Sequence, residues 1–137
     1  METKLYDILD EDVDERYYLK NGQVLDEHIN QECSYCLDSN YWKGVTLKSF
    51  IEKHRRQLVT DKINESGQFV PRRLTPRETW RLMGVNEEDI EKASKLISQT
   101  SLYKQSGNSI VVPVLEAIFR QWFIESPSKK IGLDRWF

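Results

Sequence analysis

Few residues in this 137-residue chain have the types and spacing that reactive chemistry needs. Cys33-Ser34-Tyr35-Cys36 is a C-x-x-C run, which can form half of a zinc site or a redox pair. Zinc takes four ligands, and only His28 and His54 could complete the set, at spacings that match no common zinc module. A redox pair calls for a βαβ context that the flanking sequence does not offer. Two reduced thiols in a cytoplasmic protein are the plainer reading, and no metal is assigned.

Charge supplies the second signal. Residues 1–32 carry a net −7, residues 33–82 a net +5, and residues 83–137 balance, for an overall −2. A local basic excess is the footprint of a phosphate-bearing partner, although a solvated surface produces the same pattern. The 39% hydrophobic content, with four Trp and five Phe, is enough for a real core. No apolar run reaches the length of a membrane span, and the first residues lack the pattern of a signal peptide, so a soluble, cytoplasmic protein is expected.

These residues must be held by elements that periodicity and capping signals locate. Leu5, Ile8, Leu9, Val13, Tyr17 and Tyr18 have helix-like spacing, and a short helix is predicted through Val24, Leu25 and Ile29. Ser34–Asn40 reads as a strand, Gln57-Leu58-Val59 and Phe69-Val70 as extended runs, so the middle is expected to be a small β-rich piece. Thr75-Pro76-Arg77-Glu78 offers an N-cap, a proline at the first helical position and a capping-box Glu, which predicts a helix from Pro76 to Met83 closed by Gly84. Asn86 with Glu87, Glu88 and Asp89 opens a second helix to about Ile97. A short helix is predicted at Ser101–Gln105, and an apolar one at Ile110–Ile124.

Two blocks carry a family resemblance. Arg72-Arg73-Leu74-Thr75-Pro76-Arg77-Glu78, running into Trp80-Arg81-Leu82-Met83-Gly84, resembles the ninth conserved motif of the DNA (cytosine-5) methyltransferases. The run from Leu102-Tyr103-Lys104-Gln105 through Gly107-Asn108-Ser109-Ile110 to Pro113-Val114 resembles the tenth. Each alone has a plain explanation, a well-capped helix and a loop before an apolar helix; their order and pairing point to the family. Upstream, Cys36-Leu37-Asp38-Ser39-Asn40-Tyr41-Trp42-Lys43-Gly44 is similar to a segment of the family's target recognition region, with Cys36 and Asp38 where hydroxyl residues are usual.

The resemblance implies an α+β chain with two parts. Residues 1–70 would be a connecting segment and target recognition region, and residues 71–137 a helical part that packs on a Rossmann-like catalytic domain. The family attacks carbon 6 of a flipped-out cytosine with a thiolate, protonates the ring through a Glu and takes the methyl group from S-adenosylmethionine. Those tasks belong to a Pro-Cys dipeptide, a Glu-Asn-Val run and a Gly-rich loop, none of which occurs in this sequence. Methyl transfer by this chain alone is therefore not expected. By the same resemblance, Asn108, Ser109 and Ile110 would supply part of the S-adenosylmethionine pocket. Arg77 and Glu78 would brace the recognition region structurally. On double-stranded DNA, Lys43, Lys53, Arg55 and Arg56 would meet phosphates, with Asn40 and Tyr41 nearer the bases. The apolar last helix would meet a catalytic methyltransferase chain or a second copy. A split restriction-modification enzyme and a non-enzymatic DNA-binding module or remnant both remain open, as does an excised part of a longer enzyme.

Overall fold

A computed structural model describes residues 3–20 and 22–125. The segment up to residue 45 is mostly irregular chain with 3₁₀ turns at Leu5–Ile8, Glu15–Tyr17 and Tyr41–Lys43. Helix α1 (Leu47–Lys53), strands β1 (Leu58–Ile63) and β2 (Phe69–Arg73), and helices α2 (Pro76–Leu82), α3 (Glu87–Leu96), α4 (Gln99–Asn108) and α5 (Val112–Arg120) follow. One π-helical turn, Gln121–Glu125, extends α5. Among the described residues no helix is long and apolar enough to cross a membrane.

The sheet is smaller than expected. β1 and β2 form an antiparallel hairpin, with Leu58 opposite Arg73 and Ile63 opposite Phe69, and the register slips between Thr60 and Lys62. The slip falls opposite Pro71, which has no N–H for the ladder, and it sets Asp61 apart as the bulged residue. Residues 34–38, expected with Asn40 as part of a strand, are irregular chain, and Ser39 and Asn40 form a turn. Their alternation comes from side chains that fix the turn locally: Asp38 Oδ1 accepts the Asn40 amide at 2.8 Å, and the Asp38 carbonyl accepts from Tyr41. The helix expected through Leu25 is likewise absent, because Leu25 exchanges both main-chain hydrogen bonds with Phe69 along the open edge of β2. Helix α1 was not visible in the sequence; Thr46 and Ser49 form its capping box.

From Thr75 onward, expectation and structure agree more closely. Thr75 caps α2 with its hydroxyl accepting from the Glu78 amide, and Gly84 follows the helix at φ +81°. Asn86 and Ser98 cap α3 and α4 in the same way. Helix α4 is twice the expected length and takes Gly107 and Asn108 into its last turn.

The division at residue 70 does not coincide with a packing boundary, since it falls inside β2. One core cluster joins Leu5, Ile8 and Tyr17 to Tyr41, Leu58, Leu74, Met83 and Tyr103, drawing on both sides of that division. Two phenols hold its centre: the Leu74 amide donates to the Tyr41 hydroxyl at 2.9 Å, and the Tyr103 hydroxyl donates to the Leu74 carbonyl at 2.6 Å.

Candidate functional site

Helix α4 lies against the turn Tyr41–Lys43, so the segment proposed for cofactor contact abuts the one proposed for DNA. Gly107 makes this approach possible. A Cβ on it would stand 2.3 Å from the Asp38 carbonyl carbon and 2.4 Å from the Ser39 nitrogen, closer than any side chain tolerates. One turn earlier on the same helix face, Lys104 Nζ lies 5.3 Å from the Trp42 ring centroid, while Lys43 Nζ lies 5.7 Å from it.

The six expected DNA residues divide into three groups. Lys43 and Lys53 are exposed, and so is Asn40, which opens the turn without using its side chain as a cap. Arg55 is half-exposed and donates to Asp38 Oδ2 at 3.1 Å. Arg56 sits at φ +60° and donates to the Gly44 carbonyl at 2.9 Å and to Asp38 at 3.4 Å, so it bolts two loop segments of its own chain together. Tyr41 cannot reach a base: it is 1% exposed, and its hydroxyl donates to the Gln57 carbonyl while accepting from Leu74. The sequence offered no sign of this, because a tyrosine suits a base platform and a core equally well.

Asp38 is the common acceptor of this loop. Burial pushes its carboxyl up, but the Arg55 hydrogen bond, the Asn40 amide and the Arg56 charge together hold it below the usual carboxylate range.

On the other side of α4, Asn108, Ser109 and Ile110 are all exposed at the junction with α5. Ser109 donates its hydroxyl to the Ser106 carbonyl at 3.1 Å. Beside Ser109 is a cavity of about 170 Å³, lined by Trp80, Met83, Val85, Gln105 and Ser106. That is below the ~300–1,000 Å³ range in which drug-sized ligands are enclosed. An amide, a hydroxyl and an apolar side chain fit one end of S-adenosylmethionine; they do not surround it.

The expected brace of Arg77 and Glu78 is replaced by a different pair. Glu78 is fully buried and takes both terminal nitrogens of Arg72, at 2.9 and 2.8 Å. It also accepts the main-chain amides of Thr75 at 2.7 Å and Asp10 at 2.8 Å. Arg72 has no exposed side-chain surface and also donates to Asp61 on the bulge. Burial alone would lower the Arg72 pKa, but the bonds and charges of Glu78 and Asp61 outweigh it and keep the guanidinium firmly charged. Arg77 points outward to Glu87 and Glu91 on α3. Helix position explains the exchange: Glu78 at the third helical residue turns back toward the N-cap, whereas Arg77 next to it faces away.

Cys33 and Cys36 are free and exposed. Among the described residues no group of three or more His, Cys, Asp or Glu side chains could hold a metal.

Helix α5 is the remaining feature. Its start is tied down, with Val111 packed on the core and the Val112 amide donating to the Met83 carbonyl at 3.0 Å. Beyond that, Val114, Ile118, Phe119, Trp122, Phe123 and Ile124 are all exposed, Trp122 at 65% and Phe123 at 74%.

Comparison with known proteins shows the family. The sequence matches the C-5 cytosine-specific DNA methylase family over residues 1–123, and the chain belongs to that family. It is 62% identical over 117 residues to the type II methyltransferase M2.ScrFI of Lactococcus lactis subsp. cremoris, a match covering 85% of this chain and 32% of that protein. An orphan methyltransferase of Bacillus phage rho11s, M.Rho11sI, is 53% identical over 60 residues, 43% of this chain and 12% of the phage protein. A DNA-cytosine methyltransferase of Escherichia coli is 48% identical over 58 residues, 42% of this chain and 12% of that protein. The chain thus spans about a third or less of the length of these relatives.

Proposed function

We propose that this chain is the C-terminal, DNA-recognising part of a DNA (cytosine-5) methyltransferase and works with a separate catalytic polypeptide. The unpacked face of α5 carries this reading. An apolar strip from Val114 to Ile124 is a poor surface for a soluble monomer and a good one for a catalytic domain to cover. The small cavity beside Ser109 agrees with it, since Asn108, Ser109 and Ile110 would hold the amino-acid end of S-adenosylmethionine while the partner encloses the rest. The cofactor supplies the methyl group. This chain's contribution is to bind and orient: Lys43, Lys53 and Arg55 engage double-stranded DNA through phosphates, and Asn40 lies nearest the bases.

The test mixes the chain with a polypeptide comprising the part of the Lactococcus relative outside the matched region. Transfer of labelled methyl groups to duplex DNA is expected from the mixture and from neither chain alone. Introducing Phe119→Asp with Phe123→Asp should abolish both complex formation and transfer while leaving this chain folded. No transfer from two folded, mixed chains rejects the reading and favours a non-enzymatic DNA-binding remnant.

A further inference from the structure

We infer that Lys104, on α4, is a DNA-phosphate contact that forms with Lys43 a pair of ammonium groups at the Trp42 ring. The inference rests on the DNA-binding reading above and extends it to the half of the chain otherwise concerned with cofactor. Both lysines are exposed and hold an ammonium over the same ring, at 5.7 and 5.3 Å from its centroid. Among the described residues neither has a carboxylate within 4 Å, whereas Lys4, Lys48, Lys62, Lys92 and Lys95 all do. Two ammonium groups thus gather at one indole with no anion of the described residues paired to either. The ring face attracts each ammonium without using its three N–H donors, which stay available to an oxygen ligand.

Gly107, one turn beyond Lys104, seats α4 directly against the Asp38–Ser39 peptide, next to the turn that carries Lys43. Exposed, separate point charges suit the backbone of a duplex better than a small anion held in a pocket.

The whole chain is titrated with a labelled duplex by fluorescence anisotropy from about 50 to about 200 mM salt. Lys104→Gln should reduce the magnitude of the log K against log salt slope by about 0.9, Lys43→Gln by about the same, and the double variant by about twice that. Lys104→Arg should restore the slope, and Lys92→Gln, a lysine already paired on α3, should leave it unchanged. Circular dichroism checks that each variant is folded. An unchanged slope in Lys104→Gln, with the loss present in Lys43→Gln, overturns the Lys104 contact and leaves the DNA reading standing. A loss equally large in Lys92→Gln reduces the effect to net charge and also overturns it. Absence of any binding by the wild-type chain at low salt overturns both.

Discussion

Arg72 and Glu78 show how a buried charge pair is made tolerable. Two ions removed from water are stable only when their attraction is good and every remaining lone pair and proton is used. Here Glu78 receives four hydrogen bonds, two from Arg72 and one each from the Thr75 and Asp10 amides, and Arg72 also reaches Asp61. Arg72→Met should therefore destabilise the chain by about 3–5 kcal/mol, because it leaves Glu78 charged and under-compensated. Many buried pairs can be replaced together by apolar residues at little cost. This one is expected to differ. Arg72→Met with Glu78→Leu would orphan the amides of Asp10 and Thr75, each worth about 1–3 kcal/mol when buried without a partner. Urea denaturation measures both variants; a double variant as stable as wild type would show that the amides find other acceptors.

At the scale of elements, the contact of α4 with the recognition turn is the one most sensitive to a single atom. Gly107→Ala places a methyl group against main-chain atoms of Asp38 and Ser39, which no side-chain rotation can relieve. Overpacking of this kind costs about 1–3 kcal/mol, and the strain should appear as a shift of the α4 and 38–43 resonances in an amide NMR spectrum, with α3 unaffected. Unchanged stability and spectra would mean that the helix and turn are not in contact. The sequence displayed the elements in this region better than their meeting. Thr75-Pro76-Arg77-Glu78 encodes α2 because capping is local chemistry, complete within four residues. The same locality reveals α3 from Asn86. By contrast, the placement of Tyr41 in the core, the choice of Arg72 over Arg77 as partner of Glu78, and the seat of Gly107 on Asp38 depend on residues 6 to 69 positions apart. The 34–40 segment misled for a related reason: side chains of alternating polarity can be fixed by turn hydrogen bonds as readily as by a strand partner. Residues 126–137, which the apolar pattern does not reach, lie outside the described structure.

Across the described residues, tyrosine hydroxyls add to the shared apolar core in joining the segment before β1 to the helices. Tyr41 and Tyr103 hold the two main-chain groups of Leu74 from either side of it in the sequence, with their rings 5.6 Å apart. Tyr18 donates to Asp61 at 2.9 Å, beside the Arg72 site. Burial pushes all three phenols up, Tyr18 to about 12, with the Asp61 hydrogen bond adding to the shift, and Tyr41 and Tyr103 also well above the ordinary value of 10.0. A phenol that holds its proton more tightly when folded stabilises the native state fully below its unfolded pKa. That contribution is lost as pH rises from about 10 toward the folded value. Stability measured in urea should thus be insensitive to these groups up to about pH 9 and fall steeply above pH 10. Phenolate absorbance should show Tyr18, Tyr41 and Tyr103 ionising late or only on unfolding. Tyr18→Phe should lessen the fall above about pH 10, because it removes one of the three phenols that the fold keeps protonated where the unfolded chain would release the proton. If Tyr41 and Tyr103 ionise near the ordinary value while the chain stays folded, their hydroxyls do not clamp Leu74.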